Sequence, residues 1–409
     1  MYNQDSFIAH SAKIKVFGVG GGGCNAINSM IDSKITSAEF IAINTDSQSL
    51  LQSKAEKCLQ IGEKLTKGLG AGSNPDIGEA AAEESKSEIE QELKGTDLLF
   101  IASGMGGGTG TGAASVIARI ARELGILTVA VVTKPFSFEG RVRDQNANKG
   151  IANLKKYVDT LVIIPNDKLL QFMSDQIAML DAFKIADDML KQGIIGIVDL
   201  IATPSLINLD FADVNTVMRN QGLAHMGIGR AKGENRVIEA VRQAVSSPLL
   251  ETTIEGAKSV ILNVTGGKDL KLSEVNEAAM LVQGIIDTGA NIIFGATIDE
   301  NMSEEIKITV IATGFLSDNA NSEKIDFNDK PSDNVPPLLS AIEEQERQAQ
   351  MNNTASVKES VAVENIAENE INKDNYKEEV KPIEEQNPVQ EEKKGRDLPA
   401  FMKKLLGRK

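Results

Sequence analysis

The chain has 409 residues, of which 41% are hydrophobic, and it carries a formal net charge of −15. This length suffices for two ordinary domain cores and a tail, and the acidity argues against nucleic acid as the main partner, because duplex-binding proteins concentrate basic side chains on one face. The two cysteines, Cys24 and Cys58, match no metal or disulfide spacing, so we expect a reducing, cytoplasmic environment.

Residues 1–12 are predicted to form a flexible N-terminal arm. They lack the basic start and the long apolar core of a signal peptide. Nowhere in the chain does an uninterrupted apolar run approach the roughly 18 residues of a membrane span. We therefore expect a soluble protein without a transmembrane segment.

Residues 13–175 alternate between strand and helix patterns, which indicates an α/β domain. Short apolar runs predict strands. Helix-like segments separate successive strands, except for the one pair of strands that is connected through the run at 58–61. This order implies a mostly parallel sheet with helices on both faces. The other predicted strands are 13–19, 39–44, 97–102, 126–133 and 160–164.

Three glycine-rich segments lie in this region. Residues 18–26 (GVGGGGCNA) and 104–112 (GMGGGTGTG) each end a predicted strand and begin a helix pattern. Glycines at such a turn let backbone N–H groups crowd together at a positive helix end, which suits a phosphate chain. Two such turns suggest that one triphosphate is held from two sides, and residues 68–74 (GLGAGSN) could close over its terminal phosphate.

Two other interpretations of the glycines remain open. Gly18, Gly20 and Gly23 match the dinucleotide pattern G-x-G-x-x-G, and Asp46 lies near the distance expected of an acidic ribose ligand, as in a nicotinamide-dependent oxidoreductase. Any one of the clusters could also be only a flexible loop. The P-loop and kinase motifs are absent, so we expect backbone groups to hold the phosphates.

The second half of the chain begins with a long helix and continues as a smaller α+β domain. The helical pattern runs over 176–201, about 39 Å at 1.5 Å per residue, and Pro204 is predicted to end it. A short helix is predicted after Asn208. Within the domain at 203–316 we expect strands at 258–264, 290–298 and 306–315 and helices at 234–244 and 273–287.

The last 93 residues form an acidic segment followed by a basic one. Residues 317–395 contain nineteen acidic and nine basic side chains, a composition that predicts a disordered linker. Residues 396–409 carry five basic residues and one acid, with apolar residues at helical spacing. This reversal favours a partner-binding peptide on a tether over a frayed tail.

Several long motifs together resemble the FtsZ family of bacterial tubulin homologues. The glycine segments GVGGGGCNA and GMGGGTGTG are followed in the family's order by KPFSFEGRVR at 134–143, AFKIADDML at 182–190 and NLDFADV at 208–214. The resemblance covers 13–315 and returns in DLPAF at 397–401. It implies a tubulin-like GTPase of cell division, which binds GTP or GDP with Mg²⁺ and polymerises head to tail into filaments of a ring at the mid-cell septum.

The resemblance also assigns residues to the nucleotide. Asp46 could orient water around a magnesium ion, although capping of a turn is an equal alternative. The implied binding residues are Gly21, Gly22, Gly23, Cys24 and Asn25 on the phosphates and base, Gly108, Thr109 and Gly110 on the second side, Ala71, Gly72 and Ser73 in the closing loop, and Glu139, Arg143 and Asn166 at the ribose and phosphates.

Phe183 and Asp187 lie four residues apart on one face of the long helix. Within the resemblance, Phe183 stacks on the base, and the carboxylate accepts from the N1–H and 2-amino donors of guanine, which adenine lacks. The residues alone favour a simpler interpretation, with Phe183 packed in the core and Asp187 a solvated charge. The adjacent Asp188 leaves open which acid contacts the base.

Asp210 and Asp213 begin the short helix, where residues of this type commonly cap the N-terminus. The resemblance instead assigns them, with Asn208, to the nucleotide site of the next subunit, where they polarise the attacking water. Hydrolysis would then require assembly. If both acids were only caps, the protein would be a static polymer that binds nucleotide without hydrolysing it.

The C-terminal peptide is expected to bind membrane-tethering division proteins. The implied contacts are Asp397, Leu398, Pro399, Phe401 and Met402. The four residues Leu405, Leu406, Arg408 and Lys409 suggest weak direct contact with lipid. The acidic linker would act as a spacer.

Overall fold

The computed structural model describes residues 12–170, 178–202, 205–207, 209–246 and 254–315. Predictions for the N-terminal arm up to residue 11, for Pro204 and Asn208, and for the linker and C-terminal peptide lie outside the described residues. Among the described helices, none is both long and apolar enough to cross a membrane.

A seven-stranded parallel sheet forms the first part of the structure, in the order β3-β2-β1-β4-β5-β6-β7. This confirms the predicted α/β class and parallel sheet. Its strands are β1 Ile14–Val19, β2 Glu39–Asn44, β3 Lys57–Gln60, β4 Leu98–Gly104, β5 Leu127–Lys134, β6 Thr160–Pro165 and β7 Gly222–Leu223.

Helices cover both faces of this sheet. They are α1 Gly20–Asp32, α2 Ser47–Leu51, α3 Glu63–Thr66, α4 Pro75–Glu84, α5 Lys86–Leu93, α6 Thr109–Glu123, α7 Arg141–Leu154 and α8 Asn166–Leu170, with a 3₁₀ turn at Ser137–Glu139. Neighbouring strand residues belong to different cores: Val16 packs with α1, whereas Phe17 packs with α6. Burial on both faces explains why these strands are continuous apolar runs.

The central helix α9 runs from Met179 to Ala202. Its 24 residues span about 36 Å. Buried residues of α9, including Ile194 and Ile197, share one core with Val129 of the first sheet and with Ile261 and Ile311 of the second. The helix therefore joins the two sheets through a continuous apolar contact.

The second, smaller part is α+β, as predicted. A mixed four-stranded sheet has the order β10-β9-β11-β8, in which β9 and β10 are parallel and β11 is antiparallel to both β8 and β9. The elements are α10 Phe211–Met218, β8 His225–Lys232, α11 Arg236–Val245, β9 Ser259–Gly266, α12 Leu272–Gln283, β10 Asn291–Ile298 and β11 Glu305–Thr313.

Strand β8 was not predicted from the sequence, because two glycines interrupt its apolar pattern. The structure shows what these glycines do. A Cβ atom on Gly227 would lie 1.6 Å from the carbonyl oxygen of Ala244, and one on Gly229 would lie 1.8 Å from that of Ala240. The missing side chains let α11 pack directly on the strand backbone.

Arg236 ties α11 to α12 and to the turn before it. Its side chain is 6% exposed and donates to Glu274 at 2.7 Å and 2.9 Å and to Asp269 at 2.6 Å. We expect Arg236→Met to lower the Tm by about 6 °C, because it leaves the partly buried carboxylate of Glu274 and the exposed one of Asp269 without their cation. Thermal unfolding followed by circular dichroism measures this effect.

Lys268→Met is the matched control. Lys268 pairs with Glu300 at 2.9 Å, but both side chains are 73% exposed, so its loss should move the Tm by less than about 2 °C. Equal shifts in the two variants would contradict the structural role of the Arg236 pairs.

Candidate functional site

A cleft of about 420 Å³ lies at the carboxyl ends of the strands of the parallel sheet, where ligands of doubly wound folds bind. Its walls come from the turns after β1 and β4, the ends of β5 and β6, the start of α7 and the first half of α9. The lining residues are Gly21, Gly22, Asn25, Gly104, Met105, Gly107, Gly108, Thr109, Gly110, Thr133, Pro135, Glu139, Arg143, Asn166, Phe183, Ala186, Asp187 and Leu190.

The first two glycine segments pack against each other at this cleft. Gly20 has φ +72°, and a Cβ atom there would lie 2.7 Å from the backbone nitrogen of Gly110. Only glycine satisfies both the backbone angle and the close approach. As a result α1 and α6 begin side by side, and their unpaired N–H groups and positive dipole ends create a site suited to phosphates.

The third glycine segment supports the second from outside the cleft. A Cβ atom on Gly108 would lie 2.8 Å from that of Ala71, so the two segments are in contact. Ala71, Gly72 and Ser73 are not among the described residues that line the cleft, and the closing role predicted for them stays a prediction.

The loop after β2 also packs behind the cleft. Thr45 and Thr109 share a hydrogen bond of 2.6 Å between their hydroxyl groups. Asp46 caps α2 by accepting from the backbone of Gln48 at 3.0 Å and from the hydroxyl of Ser49 at 2.6 Å, and the Ser49 bond lowers the pKa of the Asp46 carboxyl. The capping alternative for Asp46 is therefore the arrangement observed.

Gly23 and Cys24 face the protein interior rather than the cleft. A Cβ atom on Gly23 would lie 2.2 Å from the carbonyl oxygen of Ala102, so this glycine allows α1 to pack on β4. The thiol of Cys24 is buried 3.5 Å from the carbonyl oxygen of Gly18, and burial raises its pKa to about 12. Cys24 is thus an uncharged packing residue in this structure.

Phe183 of α9 lines the cleft and belongs to a cluster of three phenylalanines. Phe136 is fully buried and meets Phe183 edge to face at 5.4 Å, while Phe138 stacks on Phe136 at 5.1 Å. Phe183 is only partly buried and lines the cleft. These contacts hold the ring of Phe183 where a planar base can stack on it.

The two neighbouring acids of α9 have different environments. Asp188 is buried, pairs with Lys191 at 2.5 Å and accepts from Ser29 at 3.1 Å. Asp187 lines the cleft, and no group in the described part of the chain donates a hydrogen bond to it. Burial, with the charge of Asp188 as a smaller cause, raises the pKa of Asp187 to about 7. Asp187 therefore presents the unsatisfied carboxyl group.

Polar groups from two further elements complete the cleft. The side-chain oxygen of Asn166 is buried and has no hydrogen-bond partner among the described residues. This oxygen can therefore accept a hydrogen bond from a ligand hydroxyl. Glu139 accepts from the backbone of Phe136 at 2.9 Å and pairs with Arg143 at 2.5 Å. This pair holds the guanidinium at the rim.

Asp210 and Asp213 are not among the described residues that line the cleft. They cap α10 reciprocally: the backbone of Asp213 donates to Asp210 at 2.8 Å, and that of Asp210 donates to Asp213 at 3.3 Å. Each carboxylate keeps its second oxygen free of these bonds. The capping expected from residue type is thus observed, and Asn208 lies outside the described residues.

Seven lining residues were not among the predicted site residues: Gly104, Met105, Gly107, Thr133, Pro135, Ala186 and Leu190. Two signals in the sequence could have found some of them. Thr133 lies near the end of a predicted parallel strand, and Ala186 and Leu190 follow Phe183 at helical spacing.

Comparisons with known proteins agree with this arrangement. Residues 13–174 match the GTPase domain of the Tubulin/FtsZ family, and residues 222–316 match the C-terminal domain of the FtsZ family. The GTPase match selects against an oxidoreductase, the alternative suggested by the first glycine motif.

Solved structures from M. jannaschii and Haloferax volcanii are similar to this chain. An empty FtsZ dimer from M. jannaschii is 48% identical, with 74% of this chain and 88% of that chain covered and a TM-score of 0.70. A point mutant of the same protein is 48% identical, with coverage of 75% and 92% and a TM-score of 0.71. CetZ2 from Haloferax volcanii, at 21% identity, coverage of 73% and 92% and a TM-score of 0.64, shares the fold. The chain therefore belongs to the FtsZ family of tubulin-like GTPases.

Proposed function

We propose that this protein is a self-assembling GTPase of bacterial cell division. It polymerises head to tail into filaments of the division ring at mid-cell, beneath the inner membrane, and recruits other division proteins. It hydrolyses GTP at the interface between subunits, so assembly activates the enzyme and hydrolysis regulates filament turnover.

One observation carries the proposal: the cleft and the acidic pair lie at opposite ends of the central helix. Phe183, Asp187 and Leu190 line the cleft from the first half of α9, whereas Asp210 follows its end, and the helix from Leu190 to Ala202 rises about 18 Å. In this structure neither acid is among the described residues that line the chain's own cleft. A second copy placed head to tail can supply them, and such a contact repeats without closing.

Within the cleft, each group has a task that its surroundings support. Backbone N–H groups at the starts of α1 and α6 hold the phosphates, and Arg143 supplies a positive charge. Phe183 stacks on the base, Asn166 accepts from a ribose hydroxyl, and Asp187 accepts from the two guanine donors. This set favours GTP over ATP.

The acids of the neighbouring subunit perform the chemistry. A carboxylate of Asp210 or Asp213 accepts a proton as water attacks the γ-phosphorus, while the bond to the bridging oxygen breaks and GDP leaves. Within the described residues there is no cluster of three or more side chains that could hold a metal. Any Mg²⁺ would therefore be held mainly by phosphate oxygens and water, and it would add charge neutralisation.

Two further features support the assembly and its partners. One M. jannaschii relative is an FtsZ dimer, which supports self-association of this chain. The C-terminal peptide, which lies outside the described residues, is proposed to bind membrane-tethering division proteins through Asp397, Leu398, Pro399, Phe401 and Met402.

The proposal is tested by measuring phosphate release from GTP over a range of protein concentrations, with light scattering in parallel. We expect the rate per molecule to rise as scattering appears. Scattering without phosphate release would identify a static polymer, and a rate per molecule that is independent of concentration would exclude activation by assembly.

Affinity for GDP is expected to depend on pH through Asp187. The guanine donors require its ionised form, and with a pKa of about 7 the ionised fraction rises about tenfold between pH 6 and pH 8. The dissociation constant should therefore fall about tenfold over this range. Isothermal titration of wild type and Asp187→Asn at both pH values measures the dissociation constant. The variant serves as the control, since it retains only the pH dependence of the phosphates. Equal pH dependence in both proteins would contradict the role of Asp187.

The carboxyl group of Asp187 also affects the stability of the nucleotide-free protein. A rise in pH should strengthen GDP binding but lower the free energy of unfolding. The folded pKa of this carboxyl group, about 7, exceeds its ordinary value of 3.8, so the folded state holds a proton that the unfolded chain releases. The contribution of Asp187 to stability should therefore decline as the pH rises from about 4 to about 7.

A further inference from the structure

The segment that precedes Asp210 is attached to the edge strand β10. Ile207 and Ala296 form an isolated antiparallel bridge, in which the two backbone N–H groups donate to the opposite carbonyl oxygens at 3.1 Å and 3.2 Å. Because β10 lies at the edge of its sheet, its outer backbone groups are free to make this contact.

Side chains reinforce the bridge at the next residue of β10. The hydroxyl groups of Ser205 and Thr297 lie 3.0 Å apart, and the Thr297 hydroxyl also donates to the side-chain oxygen of Asn263 at 3.5 Å. Asn263 is 7% exposed on β9 and donates in turn to Thr265. Thr297 therefore connects the segment before Asp210 to the interior of the second sheet.

Leu209, directly before Asp210, packs on the same strand. It is 4% exposed and belongs to the core shared by both sheets. A Cβ atom on Gly295 would lie 2.9 Å from a Leu209 methyl carbon, so the glycine makes room for this side chain.

The far end of α10 is attached as well. Thr313 of β11 donates to the carbonyl oxygen of Val217 at 2.7 Å, and Thr160 of β6 donates to that of Met218 at 2.5 Å. The helix that begins with the acidic pair is thus held by strands of both sheets, and the attachment to β10 determines where its first turn lies.

We propose that Thr297 is a positioning residue for Asp210 and Asp213: its hydroxyl, through Ser205, holds the acidic pair in the orientation that the nucleotide of the next subunit requires. This inference rests on the proposed function. Thr297 does not contact substrate, so its loss should affect turnover in the assembled state and leave nucleotide binding unchanged.

The test compares Thr297→Val, which keeps the branched shape and removes the hydroxyl, with Thr297→Ser, which keeps the hydroxyl. Phosphate release is divided by the amount of protein that sediments with GTP, and GDP affinity is measured separately. We expect Thr297→Val to lower turnover per assembled subunit about tenfold with unchanged GDP affinity and polymer mass, because small displacements of catalytic groups are costly. Thr297→Ser should retain wild-type turnover.

Two further variants make the outcome specific. Ser205→Ala removes the other hydroxyl, and its effect should not add to that of Thr297→Val, because both changes break the contact between Ser205 and Thr297. It also serves if Thr297→Val folds poorly. Thr309→Val is the matched control on β11, where the hydroxyl has no hydrogen bond to Asn263 or to the described segment before Asp210, and it should keep wild-type turnover.

Wild-type turnover in Thr297→Val, equal loss in Thr309→Val, or additive losses in the double variant would each overturn the positioning role while the proposed function stands. Absence of concentration-dependent turnover in wild type would instead refute the proposed function, and the positioning role would fall with it.

Discussion

Asp213→Ala is expected to lower GTP turnover by a factor of about 10²–10⁴ while GTP binding and filament formation persist. The reason is that the cleft, which does not include Asp213, is left intact, whereas the carboxylate that would accept the proton of the attacking water is lost. Phosphate release, sedimentation and nucleotide titration on the same preparation measure the three quantities.

Asp213→Asn separates this role from capping. In the structure Asp213 accepts a hydrogen bond from the backbone of Asp210 at 3.3 Å, and an asparagine oxygen can accept the same bond. The helix cap is retained, but the amide is not a base. Normal GTP hydrolysis by the asparagine variant would show that Asp213 serves only as a cap.

A mixing experiment tests whether the acids act on another subunit. Asp213→Asn has an intact cleft, and a variant impaired in the cleft, such as Asp187→Asn, has intact acids. When the two are mixed in equal amounts and copolymerise at random, about a quarter of the interfaces combine an intact cleft with intact acids. Turnover above that of either variant alone is expected, and no gain on mixing would indicate that the acids act within their own chain.

The second large effect is expected at the base. Asp187→Asn should weaken GTP binding by a factor of about 10²–10³, because the amide cannot accept from both guanine donors and leaves one of them unpaired in a partly buried site. Xanthosine triphosphate has a carbonyl group where guanine has its amino group, so the variant should bind it better than wild type does. Competition titrations with the two nucleotides measure this change in preference.

Asp188→Asn is the matched control for this change. It removes an equal charge one residue away, but the carboxylate of Asp188 is engaged by Lys191 and Ser29. We expect some loss of stability and no change in base preference. If the base preference changed in Asp188→Asn rather than in Asp187→Asn, our proposal would have assigned base recognition to the wrong aspartate.

The sequence predicted most of the fold because its signals are local. Strands buried on both faces appear as apolar runs, and the turn after β1 requires a residue that tolerates φ +72° at Gly20. The predicted bounds of the central helix, 176–201, differ from the observed Met179–Ala202 by three residues at the start and one at the end. Strand β8 was missed because its glycines allow the tertiary packing of α11 on the strand, and this packing leaves no local apolar pattern.

The candidate site was predictable to a lesser degree. The glycine segments indicated a phosphate site, and the structure brings both of the first two to one cleft. Residue type alone favoured capping for the Asp210 and Asp213 pair and left it as an equal alternative for Asp46, and capping hydrogen bonds are observed at both places. The binding and catalytic roles of these and the other site residues stay predictions.

By itself, the sequence determined most of the strands, the helix between the two sheets and the glycine turns, because backbone conformation depends on neighbouring residues and a buried strand appears as a local apolar run. Only the tertiary structure decided that Asp187 is left unsatisfied while Asp188 is paired, that the oxygen of Asn166 is buried without a partner among the described residues, and that the acidic pair does not line the cleft of its own chain. The physical reason is that such properties depend on contacts between residues far apart in the chain, which no local pattern encodes.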